Sequence, residues 1–200
     1  MALCGQILLV RHGRPRIEWP RRCRHPEFKR WIERYDAAEL DPASPPPPRL
    51  VEAASESGLF VSSCRPRSYQ SALQLSRGLP VVQLSELDEV PLPDLPIPMI
   101  ELPTEAWVLL TRLSHFAGYA RETESIGMAR ARSRLAAARL AEYASANRRV
   151  AAVAHGTINW LIGRNLKRDG WRVRSRGETG GYWHWRLFAP SPDTANSAAD

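Results

Sequence analysis

Residues 7–13 read Ile7-Leu8-Leu9-Val10-Arg11-His12-Gly13, and residues 150–156 read Val150-Ala151-Ala152-Val153-Ala154-His155-Gly156. Each is a short apolar run that ends in a histidine and a glycine. Such a run, bounded by polar and turn-forming residues, reads as a buried strand. In an open α/β sheet, ligands bind beyond the carboxyl ends of the strands. Two histidines at two such ends can therefore face one pocket. The glycine after each permits a tight turn and a close approach of backbone to ligand. One strand-His-Gly on its own is more often a packed or loop histidine. The pair, with Arg11 ahead of the first, points to a site.

A third strand end lies between them. Leu59-Phe60-Val61-Ser62 leads into Ser63-Cys64-Arg65-Pro66-Arg67-Ser68-Tyr69-Gln70-Ser71-Ala72, where a helix should begin. A helix N-terminus offers free N–H groups and the positive end of a dipole. Arg67 at that point can complete a cradle for phosphate.

The rest of the chain supplies the layers. Glu27 to Leu40 carries Phe28, Trp31, Ile32 and Tyr35 at near-helical spacing. Pro42 to Pro48 must be an extended connector. Short helices are expected over Leu50 to Ser57 and Ser68 to Arg77, and a strand over Pro80 to Leu84. Val90 to Pro103 holds too many prolines for regular structure. Helices follow over Thr104 to Gly118, over Thr123 to Ala146 with Thr123 as N-cap, and over Thr157 to Leu166. Gly180 to Phe188 reads as a last strand, with Trp183 and Trp185 on one packed face. Strands alternating with helices predict a three-layer α/β/α sandwich with a mostly parallel central sheet. One domain is expected over residues 1–189, followed by a polar, disordered tail over 190–200.

Composition narrows the function classes. At 200 residues the chain can bury a sizeable core. No apolar run approaches the length needed to span a bilayer, and the first residues lack a basic leader, so a cytoplasmic location is the expectation. Cys4, Cys23 and Cys64 have no CxxC spacing, which argues against a zinc site or a disulfide framework. The net charge is +7, and only Lys29 and Lys167 are lysines, so the positive charge is nearly all arginine. Arginine's rigid fork of donors matches phosphate and carboxylate. Basic residues alternate with prolines and acids rather than forming an RNA-binding motif.

In this order, the motifs resemble those of the histidine phosphatase (phosphoglycerate mutase-like) superfamily. Members carry Arg-His-Gly after the first strand, then Ser-Ser-Pro-Leu-x-Arg-Ala-x-x-Thr-Ala, then Leu-x-Glu, and late in the chain a His-Gly. Here these are Arg11-His12-Gly13, Ser62 to Ala72, Leu87-Asp88-Glu89 and His155-Gly156; Thr123-Glu124-Ser125 is similar to the family's Gly-Glu-Ser. Cys64-Arg65 replaces Pro-Leu, Ser68 replaces Ala and Ser71 replaces Thr. The family's Leu-Thr-x-x-Gly-x-x-Gln-Ala stretch is missing. So is the Glu-Ser/Thr-x-x-Asn pattern of glycolytic mutases, which argues against a mutase.

The resemblance implies a phosphoglycerate mutase-like fold and a phosphatase that needs no cofactor or metal and acts on a small phosphorylated substrate. It implies His12 as nucleophile, with Arg11, Arg67, His155 and Gly13 around the phosphoryl group. It implies Glu89 as proton donor, with Glu86 and Asp88 as neighbouring alternatives. A carboxylic acid in that role is expected to be partly buried. Arg14 and Arg16, nearest His12, are candidates for a further anionic contact. Trp19, Trp31, Tyr35 and Trp107 lie in segments that could cover the pocket. His25, His115 and His184 match no motif and are read as surface or packing residues. The competing reading is a non-catalytic anion- or nucleic-acid-binding protein on the same fold.

Overall fold

The structure, a computed structural model, describes residues 4–177 and 181–191. A six-stranded sheet forms its centre. The strands are β1 (Gln6–Arg11), β3 (Leu59–Ser62), β4 (Val81–Gln83), β6 (Arg149–Ala154), β7 (Trp171–Gly177) and β8 (Trp185–Pro190), in the order β4-β3-β6-β1-β8-β7. The first four in that order are mutually parallel, and β8 runs antiparallel to both its neighbours. This is the mostly parallel α/β sheet expected from the alternation of apolar runs.

Strands buried on both faces need apolar side chains on both, which is why β1 and β6 read as unbroken apolar runs. Ile7 and Leu9 of β1 pack with Val150, Ala152 and Ala154 of β6 on one face. Leu8 and Val10 pack with Ala151 and Val153 on the other. The first face is covered by α5 (Ile126–Asn147) and α6 (Gly156–Arg168), the second by α2 (Pro48–Ser55) and α3 (Pro66–Ser76). Burying each Leu or Ile of β1 contributes about 1.5–3 kcal/mol.

A third apolar cluster lies apart from the sheet. It joins Phe28 and Trp31 of α1 (His25–Ala37) to Trp107 of α4 (Thr104–Phe116) and to Cys23. Cys23 and Arg24 (β2) pair with Glu101 and Leu102 (β5) as a two-residue ribbon. Val90 to Ile100 forms no helix or strand, as its prolines require, but Glu101–Leu102 of the same stretch pairs as β5, against the expectation of no regular structure there.

Further expectations need correction. The long helix is capped by Ser125, whose Oγ accepts from the Met128 N–H, not by Thr123. Trp183 is outside the last strand, at φ 60°, yet it packs in the same cluster as Trp185. Strand β7 was not foreseen: only Trp171 of its residues is buried, so no apolar run announces it. Of the expected tail, Pro190 instead ends β8 and residues 192–200 are outside the described residues, as is Gly180 of the expected last strand.

Candidate active site

Sheet register brings the motifs together. Arg11 pairs with Ala154, so the residues that follow, His12 and His155, leave the sheet side by side. Their ring centroids are 4.9 Å apart. Ser62 pairs with Val153 on the other side of β6, which sets Ser63 beside His155. The loops are then tied down. Gly13 N–H donates to Ser71 Oγ (3.0 Å), and Ser71 donates to the Arg67 carbonyl (2.6 Å). Ser68 Oγ donates to the Val153 carbonyl (2.6 Å), and Asn159 Nδ2 to the Val10 carbonyl (2.9 Å). Both serines that depart from the family pattern thus anchor α3.

His12 is held in one tautomer. Its Nδ1 lies 2.7 Å from the Gly13 carbonyl, which can only accept, so Nδ1 carries the proton and Nε2 carries the lone pair. Arg67 Nε–H donates to that Nε2 at 3.3 Å. Burial, with the Arg67 and Arg11 guanidiniums alongside, pushes the imidazole well below its ordinary pKa, although the bond to Gly13 works the other way. His155 is pushed down likewise, by burial first and then by His12 and Arg67. Its Nε2 meets Ser63 Oγ at 2.7 Å and its Nδ1 faces Arg67 Nη2 at 3.5 Å.

Arg67 is fully buried. Its Nη1 donates to the carbonyls of Tyr35 (2.7 Å) and Asp36 (3.1 Å) at the end of α1, and its guanidinium lies over the Tyr35 ring. A helix C-terminus, rich in free carbonyls, is where a buried cation is best satisfied. Arg11 leans on the Tyr182 ring at 4.9 Å, and its Nε is buried without a hydrogen-bond partner among the described residues. A buried charged donor left unpaired is costly, so Arg11 Nε is poised for an anion.

Glu89 is partly buried at the start of α6. Its carboxylate accepts from the N–H groups of Thr157 (3.3 Å), Ile158 (3.1 Å) and Val90 (2.9 Å). A methyl group built on Gly156 would lie 3.9 Å from Arg11 Nε and 4.0 Å from Glu89 Oε2, so both groups face the space above this glycine. The neighbouring carboxylates are engaged elsewhere: Asp88 accepts from the Cys64 N–H at 2.7 Å, and Glu86 pairs with Arg139 at 2.6 Å. Glu124 grips Arg132 (2.6 and 2.9 Å), and Arg132 in turn donates to the carbonyls of Glu86 and Asp88 (2.9 and 2.8 Å). The Thr123-Glu124-Ser125 motif therefore sets the loop that carries Glu89.

A cavity of about 710 Å³ opens above these groups, between the strand ends and the α1–α4 cluster. Arg11, Arg67, Glu89 and Gly156 line its floor, with His12 and His155 just beneath, at 2 % and 1 % exposure. Trp19, Trp31 and Tyr35 line it; Trp107 does not, being buried behind them against Phe28. Arg14 and Arg16 do not line it either, and Arg14 forks onto Asp41 at 2.6 and 2.9 Å. His25 bonds to Asp94 at 2.6 Å and His115 Nε2 donates to the Glu124 carbonyl at 2.8 Å, away from the cavity. Sequence reasoning missed Arg112, Phe116 and Trp160 as cavity residues; helical spacing alone does not separate a cavity wall from core. Among the described residues, no three His, Cys, Asp or Glu side chains are grouped to hold a metal ion. None of the described helices is long and apolar enough to cross a membrane.

Residues 47–176 match the histidine phosphatase superfamily (branch 1), and the chain belongs to that superfamily. The match contains Arg67, Glu89 and His155, while Arg11-His12-Gly13 stands ahead of it. Solved structures share the fold. A mycobacterial hydrolase, hydrolase 1, is 22% identical at a TM-score of 0.55, covering 82% of this chain and 79% of its own. A mutant phosphoserine phosphatase from Entamoeba histolytica, in complex with phosphoserine, is 15% identical at 0.51, covering 82% and 80%. YhfR of Bacillus stearothermophilus is 18% identical at 0.50, covering 82% and 80%. No curated protein matches the sequence.

Proposed function

We propose that the chain is a phosphomonoester phosphatase that works through a phosphohistidine on His12, without a metal ion. The observation that carries this reading is the state of His12: Nδ1 is committed to the Gly13 carbonyl, and Nε2 is unprotonated and turned toward Arg67 beneath an open cavity. A neutral imidazole at that point is a nucleophile that needs no base to deprotonate it.

In the first step Nε2 attacks phosphorus in line. The Nε2–P bond forms, the ester P–O bond breaks, and Glu89 gives its proton to the leaving alcohol oxygen. In the second, Glu89 takes a proton from water, whose oxygen attacks the phosphohistidine. Phosphate leaves and His12 Nε2 regains its lone pair. Arg11, Arg67 and His155 hold the three phosphoryl oxygens, where charge spreads in the transition state, and Gly13 keeps the backbone clear. Membership of the superfamily supports the reading, as does the likeness in fold to a phosphoserine phosphatase.

Hydrolysis of 4-nitrophenyl phosphate in EDTA tests it. Wild type should turn over and His12→Ala should lose the activity by roughly 10³-fold or more. Equal turnover by the two proteins would mean that another group is the nucleophile.

A further inference from the structure

The cavity is far larger than a phosphoryl group requires, and its upper walls are apolar. Trp19, Trp31 and Tyr35 form one side as a contiguous aromatic group, with Trp19 4.6 Å from Trp31 and Trp31 5.1 Å from Tyr35 between ring centroids. Trp160 and Phe116 form another, edge to face at 5.8 Å. At the mouth, Leu109, Phe116 and Trp160 are exposed by 61%, 37% and 41%. Large apolar side chains gathered and left in water around one opening mark a binding surface.

The charges in the upper cavity have the opposite implication for a second anion. Arg112 lines it, but its Nη2 and Nη1 already donate to the carbonyls of Val90 (2.9 Å) and Pro91 (3.4 Å). Asp36 and Glu105 are the carboxylates on the wall. Asp36 answers Arg65 and Arg67 at 3.4 and 3.5 Å, and Glu105 is exposed. A carboxylate or second phosphate on the substrate would meet the exposed Glu105, an Asp36 already paired with two arginines, and an Arg112 whose Nη donors are already on carbonyls.

We propose that the substrate is the phosphomonoester of a bulky, otherwise uncharged alcohol bearing an aromatic ring or a similar apolar body, which lodges between the Trp19–Trp31–Tyr35 group and Trp160. The assignment rests on the phosphatase reading for the position of the phosphoryl group. Burying a two-ring aromatic body removes enough apolar surface for about tenfold or greater preference over a small polar alcohol.

Two measurements test it separately from catalysis. The first is calorimetric binding of 2-naphthyl phosphate and of O-phosphoserine to the His12→Ala protein. The expected result is about tenfold or more tighter binding of the naphthyl ester. The second is the ratio of kcat/KM for the same two esters with wild type and with Trp160→Ala. The ratio should favour the naphthyl ester by about tenfold or more and fall by about fivefold or more in the variant. Preferential binding without any wild-type turnover would leave the cavity assignment standing and sink the phosphatase reading. Turnover that favours phosphoserine, or equal handling of the two esters, would overturn the cavity assignment and leave the phosphatase reading intact.

Discussion

Arg67 Nε donates to His12 Nε2 across 3.3 Å and so covers the lone pair that the proposed attack would use. A phosphoryl oxygen offers that N–H a charged acceptor, which is the stronger partner. Substrate binding should therefore draw the donor off the histidine and free the nucleophile in one movement. Catalytic hydrogen bonds commonly rearrange in this way between free and bound enzyme.

Arg67→Ala should damage both stability and activity. The carbonyls of Tyr35 and Asp36 lose their donor and a buried volume is emptied, at a cost of about 3–5 kcal/mol. Turnover should fall by roughly 10³-fold. Arg67→Lys keeps the charge but not the fork and should fall between wild type and alanine on both counts. Urea unfolding and steady-state kinetics check the pair.

Acid should destabilise the fold before most carboxylates titrate. His12 and His155 are both held below their ordinary value in the native protein, while in the unfolded chain they bind protons near about 6.5. Below that pH the unfolded state takes up protons that the native state refuses. Stability is therefore full above about pH 7 and falls as pH drops, by up to about 1.4 kcal/mol per pH unit for each histidine. His115, also pushed down by burial, has the same sign. Urea titrations from pH 8 to pH 5 should show the decline, and its slope should lessen in His155→Ala.

Glu89→Gln separates proton donation from binding. The amide oxygen can still accept from the Ile158 and Val90 N–H groups, but it delivers no proton. Loss of kcat should be about 10²–10⁴-fold with an alkyl phosphate and markedly smaller with 4-nitrophenyl phosphate, whose leaving oxygen needs no proton. Equal losses on both esters would assign the donor elsewhere.

Gly13→Ala tests crowding rather than chemistry. Its Cβ would fall 2.5 Å from Trp183 Cζ2 and 2.6 Å from Leu40 Cδ1. The indole cannot swing aside easily, since its Nε1 donates to Ser44 Oγ at 3.1 Å. A loss of about 1–3 kcal/mol is expected, with weaker turnover because the Gly13 carbonyl that orients His12 shifts. Calorimetric melting and kinetics on the same preparation check both.

The apolar runs and the His-Gly pairs were enough to foresee the sheet and the meeting of His12 with His155, because buried parallel strands write their burial directly into the sequence. What escaped was set by tertiary context. Strand β7 alternates arginines at a sheet edge and buries little beyond Trp171. Ser125 displaces Thr123 as cap because its hydroxyl meets the Met128 N–H, a choice of two positions that composition does not resolve. Trp160 and Phe116 sit on helices at ordinary core spacing, and only the empty space opposite them makes them cavity walls. Arg14, next to the Arg-His-Gly motif, is turned away by Asp41, a partner 27 residues on.

Strand β1 is wedged between β6 and β8, which come from the far end of the chain. Strand β1 thus has no neighbour to pair with until the much later β6 and β8 have been made. Until then its four apolar residues must wait uncovered, and closing such distant contacts is slow. The sheet is therefore expected to close around Ile7 to Val10 in a late step, once Trp185–Pro190 has been made.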